Sequence, residues 1–373
     1  MKTVKSIFKL VSLALLVSLI TISCDEQTEI KPDKGILPQS FGVDIPSSIS
    51  NPNLANGGRI SGRSEENISG DDVYELLGLF IAIGEGSSDL TEAIIGAISL
   101  YNIESVQVLT YTSDDDGRDK TLVVTQNSEF EGQTYEYQLT ITDADSEGNQ
   151  DGGKAMQVFW NNDPVKGVAI LKPYNIDRVH DADHGEAIYR IDYNSAGNSV
   201  YDATMEVSIS GLTLDENDQF SLRTLRMFVG KRGDDVDVFG NSSHPEAQLF
   251  SPADKGFNWA FVASGNDVSN IGVAEVGLPP GNLDSSERSV LLDDYSLRAV
   301  FTQAIEEAFP GGIDQTILDA YLVNTNPPGY FDKDGFLNAG ESPGAAWDGL
   351  AERIKDLTPY NPLETTNLEL SFK

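Results

Sequence analysis

Apolar positions recur along this chain with two different periods, and the period changes twice. Residues 69–72 form a helix-capping sequence ahead of Val73, Leu76, Leu77, Phe80 and Ile81, whose spacing places one apolar stripe on a helix. Asp89 with Glu92 then opens a second helix carrying Leu90, Ala93, Ile94, Ala97 and Ile98 on one side. From about 103 to 276 the signal becomes β-branched and aromatic runs broken by polar turns, at 105–111, 120–125, 134–142, 155–160, 165–171, 187–193, 203–209, 221–229 and 258–262. Short connections such as 113–117 and 161–164 are of hairpin type, so neighbouring strands are expected to be antiparallel. After Pro279-Pro280-Gly281 the helical period returns, with Leu297, Val300, Phe301, Ala304, Ile305 and Ala308 ending at Pro310-Gly311-Gly312. Further helical patterns follow at 313–323 and 345–357, and Leu368, Leu370 and Phe372 alternate as a final strand.

The pattern predicts an α+β, β-rich fold. An antiparallel meander of about nine or ten strands is too wide for a flat sheet and is expected to form a curved sheet, half-barrel or barrel. Two N-terminal helices and a mainly helical section over 291–363 complete a single body, 71–373, without a repeat of solenoid length. Residues 25–70, with Pro32, Pro38, Pro46 and Pro52 among many Ser, Asn and Gly, read as a flexible tether. Within it Phe41, Val43 and Ile45 alternate with Gly42 and Asp44, a strand pattern that either docks on a sheet edge or stays undocked.

Ahead of the tether, Lys2, Lys5 and Lys9 precede an apolar run over 10–22, shorter than the roughly 18 to 20 residues a spanning helix needs, so 1–23 reads as a signal peptide. The segment Thr21-Ile22-Ser23-Cys24 resembles the lipobox of bacterial lipoproteins, with Cys24 as the lipidated residue and 24–70 as the lipidated tether. Asp25-Glu26 resembles the acidic export tag of Bacteroidota-type surface lipoproteins. That resemblance implies an outer-membrane, surface-exposed protein, with a periplasm-facing one as the alternative. Several acyl chains anchor such a protein stably where one would bind only marginally.

Composition narrows the partners. The chain has 25 basic and 59 acidic side chains and a formal net charge of −34, and the leader removes three of the lysines. Clustered cations of the kind that hold a phosphate backbone are missing, which argues against nucleic acid. Cys24 is the sole cysteine, so no disulfide forms within the chain.

Two clusters carry candidate metal chemistry. Asp332-Lys333-Asp334-Gly335-Phe336-Leu337-Asn338-Ala339-Gly340-Glu341 resembles the calcium loop of EF-hand and dockerin-like modules, and the resemblance implies Asp332, Asp334, Phe336, Asn338 and Glu341 as the calcium set. The first position of such a loop is here Tyr330. The second cluster, His180, Asp181, Asp183 and His184 between Asp177 and Glu186, offers ligands suited to zinc or a general base in a loop. Residues 143–151 place oxygens at alternate positions and read as a hairpin tip or a further calcium loop. His244 lies in a turn-like Asn-Ser-Ser-His-Pro run, Arg232-Gly233-Asp234 is an ordinary turn, and Trp160, Trp259 and Trp347 read as core residues before a sugar platform. No nucleophile elbow, phosphate-cradling loop or His-Glu-x-x-His occurs.

These observations favour a lipid-anchored cell-envelope protein with a non-enzymatic binding, carrier or structural role, stabilised by calcium. The membrane is its partner through the anchor, and an apolar small molecule, a glycan or a protein is its ligand. A metal-dependent hydrolase built on the 180–184 cluster, with zinc, and an adhesion or structural surface module are the alternatives.

Overall fold

A computed structural model describes residues 35–50, 69–100, 103, 106–179, 185–214, 221–248 and 255–373. Residues 1–23, read above as a signal peptide, and Cys24 lie outside the described residues. The strands are β1 (Gln107–Thr112), β2 (Asp119–Phe130), β3 (Gln133–Asp143), β4 (Lys154–Asn162), β5 (Val165–Leu171), β6 (Ile188–Asn194), β7 (Ala203–Ser210), β8 (Thr224–Arg232), β9 (Asp235–Gln248), β10 (Lys255–Asn266), β11 (Ile271–Gly277), β12 (Gly329–Asp332) and β13 (Gly335–Ala339). They form one 13-stranded antiparallel sheet in sequence order, a pure meander. β1 and β13 stand at its two ends and are not paired with each other, so the sheet is open rather than a closed barrel.

Register shows how the two faces are specified. Val124, Leu139, Val158, Ala169, Ile191, Val207, Met227, Gly240, Phe261 and Val276 are partners in succession from β2 to β11. Every member of this row is buried, because side chains at paired positions leave the sheet on the same side. The row belongs to a first face that carries the main core.

A single helix, α1 (Gly70–Ser99), crosses that face. Its start is a capping box in which Asp72 N–H donates to Ser69 Oγ and Ser69 N–H to Asp72 Oδ2. Two helices were expected here; the structure has one of 30 residues, about 45 Å long. Asp89 and Glu92 lie within it instead of opening a second helix. The Gly84-Glu85-Gly86-Ser87-Ser88 stretch has weak helix propensity, and packing overrides it. A Cβ at Gly84 would come within 2.4 Å of Met227 Cε, so the glycine lets the helix settle onto β8. The Ser87 and Thr91 hydroxyls donate to the Gly84 and Ser87 carbonyls, which leaves no orphan hydroxyl at this close contact. Along its length α1 meets the strands in reverse order: Tyr74 stacks on Phe336 of β13, Phe80 lies between His244 of β9 and Trp259 of β10, and Gly84 reaches β8.

Residues 35–50, placed by sequence in the flexible tether, pack against this core. Leu37, Phe41, Val43, Ile45 and Ile49 are buried in it. The segment is not a strand but a strap. The Ile36 carbonyl accepts from Trp160 Nε1 and Asn162 Nδ2, Phe41 packs on Tyr193, and Ile49 lies over Gly265 and Gly272. It thus runs from the β4–β6 region to β10–β11. The ordered body therefore starts before residue 71, because five apolar side chains in sixteen residues gain more by burial than by solvation.

The second face carries two apolar clusters. Over β10–β12, Ala260, Val262, Ile271, Val273 and Tyr330 pack under a wide turn at Ser289–Asp294, helix α5 (Ala345–Arg353) and Leu357. Over β2–β6, Phe130, Tyr135, Phe159, Val168 and Ile170 pack beneath Phe372. The last residues do not form the expected strand; they lie across the sheet, where Lys373 N–H donates to Gln157 Oε1 at 2.8 Å. The remaining helices are α2 (Pro173–Ile176), α3 (Leu297–Ala308), α4 (Gln315–Tyr321) and α6 (Pro362–Thr366). The section 291–363 is therefore not helical throughout, since β12 and β13 interrupt it.

Candidate functional site

The sequence-derived calcium set folds as that interruption. Residues 332–335 form the turn of the β12–β13 hairpin, and Asp332 Oδ1 accepts from Asp334 N–H at 2.8 Å, an Asx turn. Asp334 pairs with Lys333 at 2.6 Å, Asn338 Nδ2 donates to the Glu341 carbonyl, and Glu341 is exposed. Phe336 points to the core and stacks on Tyr74, with ring centroids 5.0 Å apart. Each of these polar groups is thus engaged by its own neighbours in the hairpin. Among the described residues no group of three or more His, Cys, Asp or Glu side chains is arranged to hold a metal ion. We expect the melting temperature to be the same in EDTA and in millimolar calcium; a calcium-dependent rise that Glu341→Gln removes would restore this segment as a cation site.

His180, Asp181, Asp183 and His184 lie outside the described residues. The segment leading to them joins a buried ion network. Asp143, wholly buried, accepts from Arg118 Nε and Nη2 at 2.9 and 3.0 Å and from Arg178 Nε at 2.8 Å, with Lys120 Nζ at 3.6 Å. Burial works against the Asp143 carboxylate, but the hydrogen bonds from Arg118 and Arg178 and the charge of Lys120 outweigh it and hold its pKa down at about 2. Lys120 is itself buried and donates to Asp116 Oδ2 and the Asn175 carbonyl, both at 2.9 Å. Asp151 takes Lys172 at 2.9 Å. The acids of the 143–151 loop thus serve the protein's own cations, and the cluster ties β1–β2, β3–β4 and α2 together.

His244 is not in a turn. It lies on β9, fully buried against Phe80, Phe257 and Trp259, with Nε2 2.8 Å from Ser242 Oγ. Trp160 and Trp259 are core residues, and Trp347 on α5 donates to the Phe331 carbonyl.

The feature that sequence reasoning missed is a cleft of about 230 Å³ on the second face, where α5 meets the ends of β9–β11. Its polar side is Asp235, Asn266, Ser269 and Arg353, and its apolar side is Ile271, Leu350, Ala346 and Gly349. The polar side is locked. Arg353 Nε and Nη2 donate to the two oxygens of buried Asp237 at 3.0 and 2.8 Å, and Nη1 lies 3.3 Å from Asp235 Oδ2. Asp237 also accepts from Ser264 Oγ at 2.8 Å and Tyr201 OH at 3.2 Å, and Asn266 Nδ2 donates to Asp235 Oδ1 at 2.8 Å. Burial and the Asp237 charge raise the Tyr201 phenol to about 12, so it stays a donor at neutral pH.

Beside the cleft runs a row of half-buried rings, Tyr201, Phe228, Phe239 and Tyr360, with centroids 5.5, 4.8 and 5.5 Å apart. Arg226 lies 4.0 Å over the Tyr360 ring and pairs with Glu206 at 2.8 Å. The cleft thus sets ion-paired polar groups, whose donors are used within the protein, beside an apolar wall. One signal for it was legible: Asp235-Val236-Asp237-Val238 alternates, placing both acids on the face opposite the valines.

Comparison with known protein families, with curated proteins and with solved structures finds no match for this chain.

Proposed function

We propose that this chain is a lipid-anchored cell-envelope protein of the bacterial outer membrane, held at Cys24, displayed at the surface, and engaged in binding rather than catalysis. In this reading the open sheet is a half-barrel wrapped over α1, and the ligand meets its second face. The observation that carries the reading is the hydrogen-bond-locked cleft around Arg353 and Asp237. The first face is filled by α1 and the 35–50 strap, which argues against an apolar cargo between sheet and helices. The net charge disfavours polyanions, so a glycan or a protein segment that is neutral or cationic suits the cleft.

Two measurements test it. Cys24→Ser is expected to abolish incorporation of labelled palmitate and to move the protein from the membrane to the soluble fraction; continued membrane association would sink the anchor. Ser269→Trp, which fills the cleft, is expected to remove retention of neutral and amino-sugar oligosaccharides on an array. Equal retention by the variant would show that the cleft is not where binding occurs.

A further inference from the structure

Three carboxylates project from α1 at Glu85, Asp89 and Glu92, four and three residues apart and so on one side of the helix. The strap lies along them. Ile45 N–H donates to Glu85 Oε1 at 2.9 Å, Ser50 Oγ to Glu85 Oε2, and Phe41 N–H to Glu92 Oε1. The fit at Gly42 is close: a Cβ there would stand 2.9 Å from Ser88 Oγ. These bonds spend side-chain acceptors on backbone donors that no strand pairs. The strap brings a fourth acid, Asp44, whose charge acts on both Glu85 and Asp89. From the sheet, Lys231 of β8 feels the charge of Asp44 but donates to Asp267 at 2.8 Å.

We propose that residues 35–50 form a proton-linked strap, whose docking on the Glu85 side of α1 takes up protons, so that it holds at acidic pH and loosens as these acids ionise. Docking removes Glu85 from water while adding the charge of Asp44, and both effects disfavour the ionised form. Burial raises Glu85 to about 7 against the hydrogen bonds from Ser50 and Ile45. Asp89 rises to about 6 through burial, then the charges of Glu92 and Asp44. A carboxyl raised only in the docked state stabilises docking fully below its ordinary value near 4.5 and loses that contribution as pH rises through the docked value. The window is therefore pH 4.5 to 7. Asp89 as a whole residue is exposed although its carboxyl is crowded by the protein, so solvent screens its share and Glu85 carries most of the linkage. Taken with the anchor at Cys24, on which this consequence rests, release of residues 35–50 would by itself add about 50 Å of extended chain to the link between membrane and body, at roughly 3.3 Å per residue.

Hydrogen exchange on the full chain tests the linkage, with rates corrected for intrinsic pH dependence. The Phe41 and Ile45 amides are expected to lose protection on the order of tenfold between pH 5.5 and pH 8, while amides of β6 and β7 hold theirs. In the Glu85→Gln, Asp89→Asn double variant protection should be equal at the two pH values, because the side-chain carbonyl of the introduced glutamine can still accept from Ile45 and its amide can donate to Ser50. Asp44→Asn, which leaves α1 untouched, should recover part of the protection at pH 8. Equal protection of wild type at both pH values, a loss shared by β6 and β7, or undiminished pH dependence in the double variant would overturn the proposal. The readout is amide protection, so it is independent of whether Cys24 is lipidated.

Discussion

Asp143→Ala is expected to destabilise the protein by about 3 kcal/mol, in the range typical of breaking a buried ion pair from one side. The substitution leaves Arg118, Arg178 and Lys120 facing a site with no counter-charge. Arg118 and Arg178 side chains are 28% and 18% exposed, so water recovers part of their loss; Lys120 cannot reach water and keeps only Asp116 and the Asn175 carbonyl. This places the cost at the low end of that range. The pH dependence has a definite sign. The folded-state pKa of Asp143 is depressed to about 2, so its contribution is fully present above the ordinary value of 3.8 and is lost as pH falls through 2. Urea unfolding at pH 7 and pH 2.5 checks both points: the gap between wild type and variant should narrow at the lower pH. A variant as stable as wild type at pH 7 would mean that the network contributes nothing.

Trp160→Ala should cost about 3–5 kcal/mol, the usual penalty for truncating a buried tryptophan. The side chain is wholly buried, its ring lies 5.4 Å from that of Tyr137, and Nε1 donates to the Ile36 carbonyl at 2.8 Å. Packing and strap attachment are separable. Trp160→Phe keeps much of the apolar volume and removes the donor, and Asn162 Nδ2 still reaches Ile36 at 2.8 Å, so a loss of about 1 kcal/mol is expected. That loss should fall on protection of residues 35–50. If Trp160→Phe weakens the whole sheet as much as Trp160→Ala does, the strap is not a separate unit.

The same strap marks where sequence reading stopped. Phe41, Val43 and Ile45 showed a docking pattern, but a strand requires a free edge beside it, and these residues instead found side-chain acceptors on α1. β9 was missed for a related reason. Its Gly240-Asn241-Ser242-Ser243-His244-Pro245 run has turn composition, yet residues 240–243 pair with β8 and β10 on both sides. A central strand is specified by its neighbours more than by its own propensity. Alternating Asp and Asn suit both a cation loop and a hairpin with an Asx turn, so that pattern alone does not fix the geometry. The cleft was the least legible feature, since Arg353 reaches Asp237 across 116 positions of sequence.

By itself the amino-acid sequence determined an antiparallel meander, the start of α1 and the acidity of the chain. Each of these follows from local period, turn chemistry or composition, which act over a few residues or over the whole chain at once. Only the tertiary structure decided that α1 is continuous, that the sheet stays open, that residues 35–50 belong to the body, and that Arg353 reaches Asp235 and Asp237. Those outcomes depend on close approaches such as Gly84 to Met227 and on hydrogen bonds between distant residues, and neither leaves a periodic trace in the sequence.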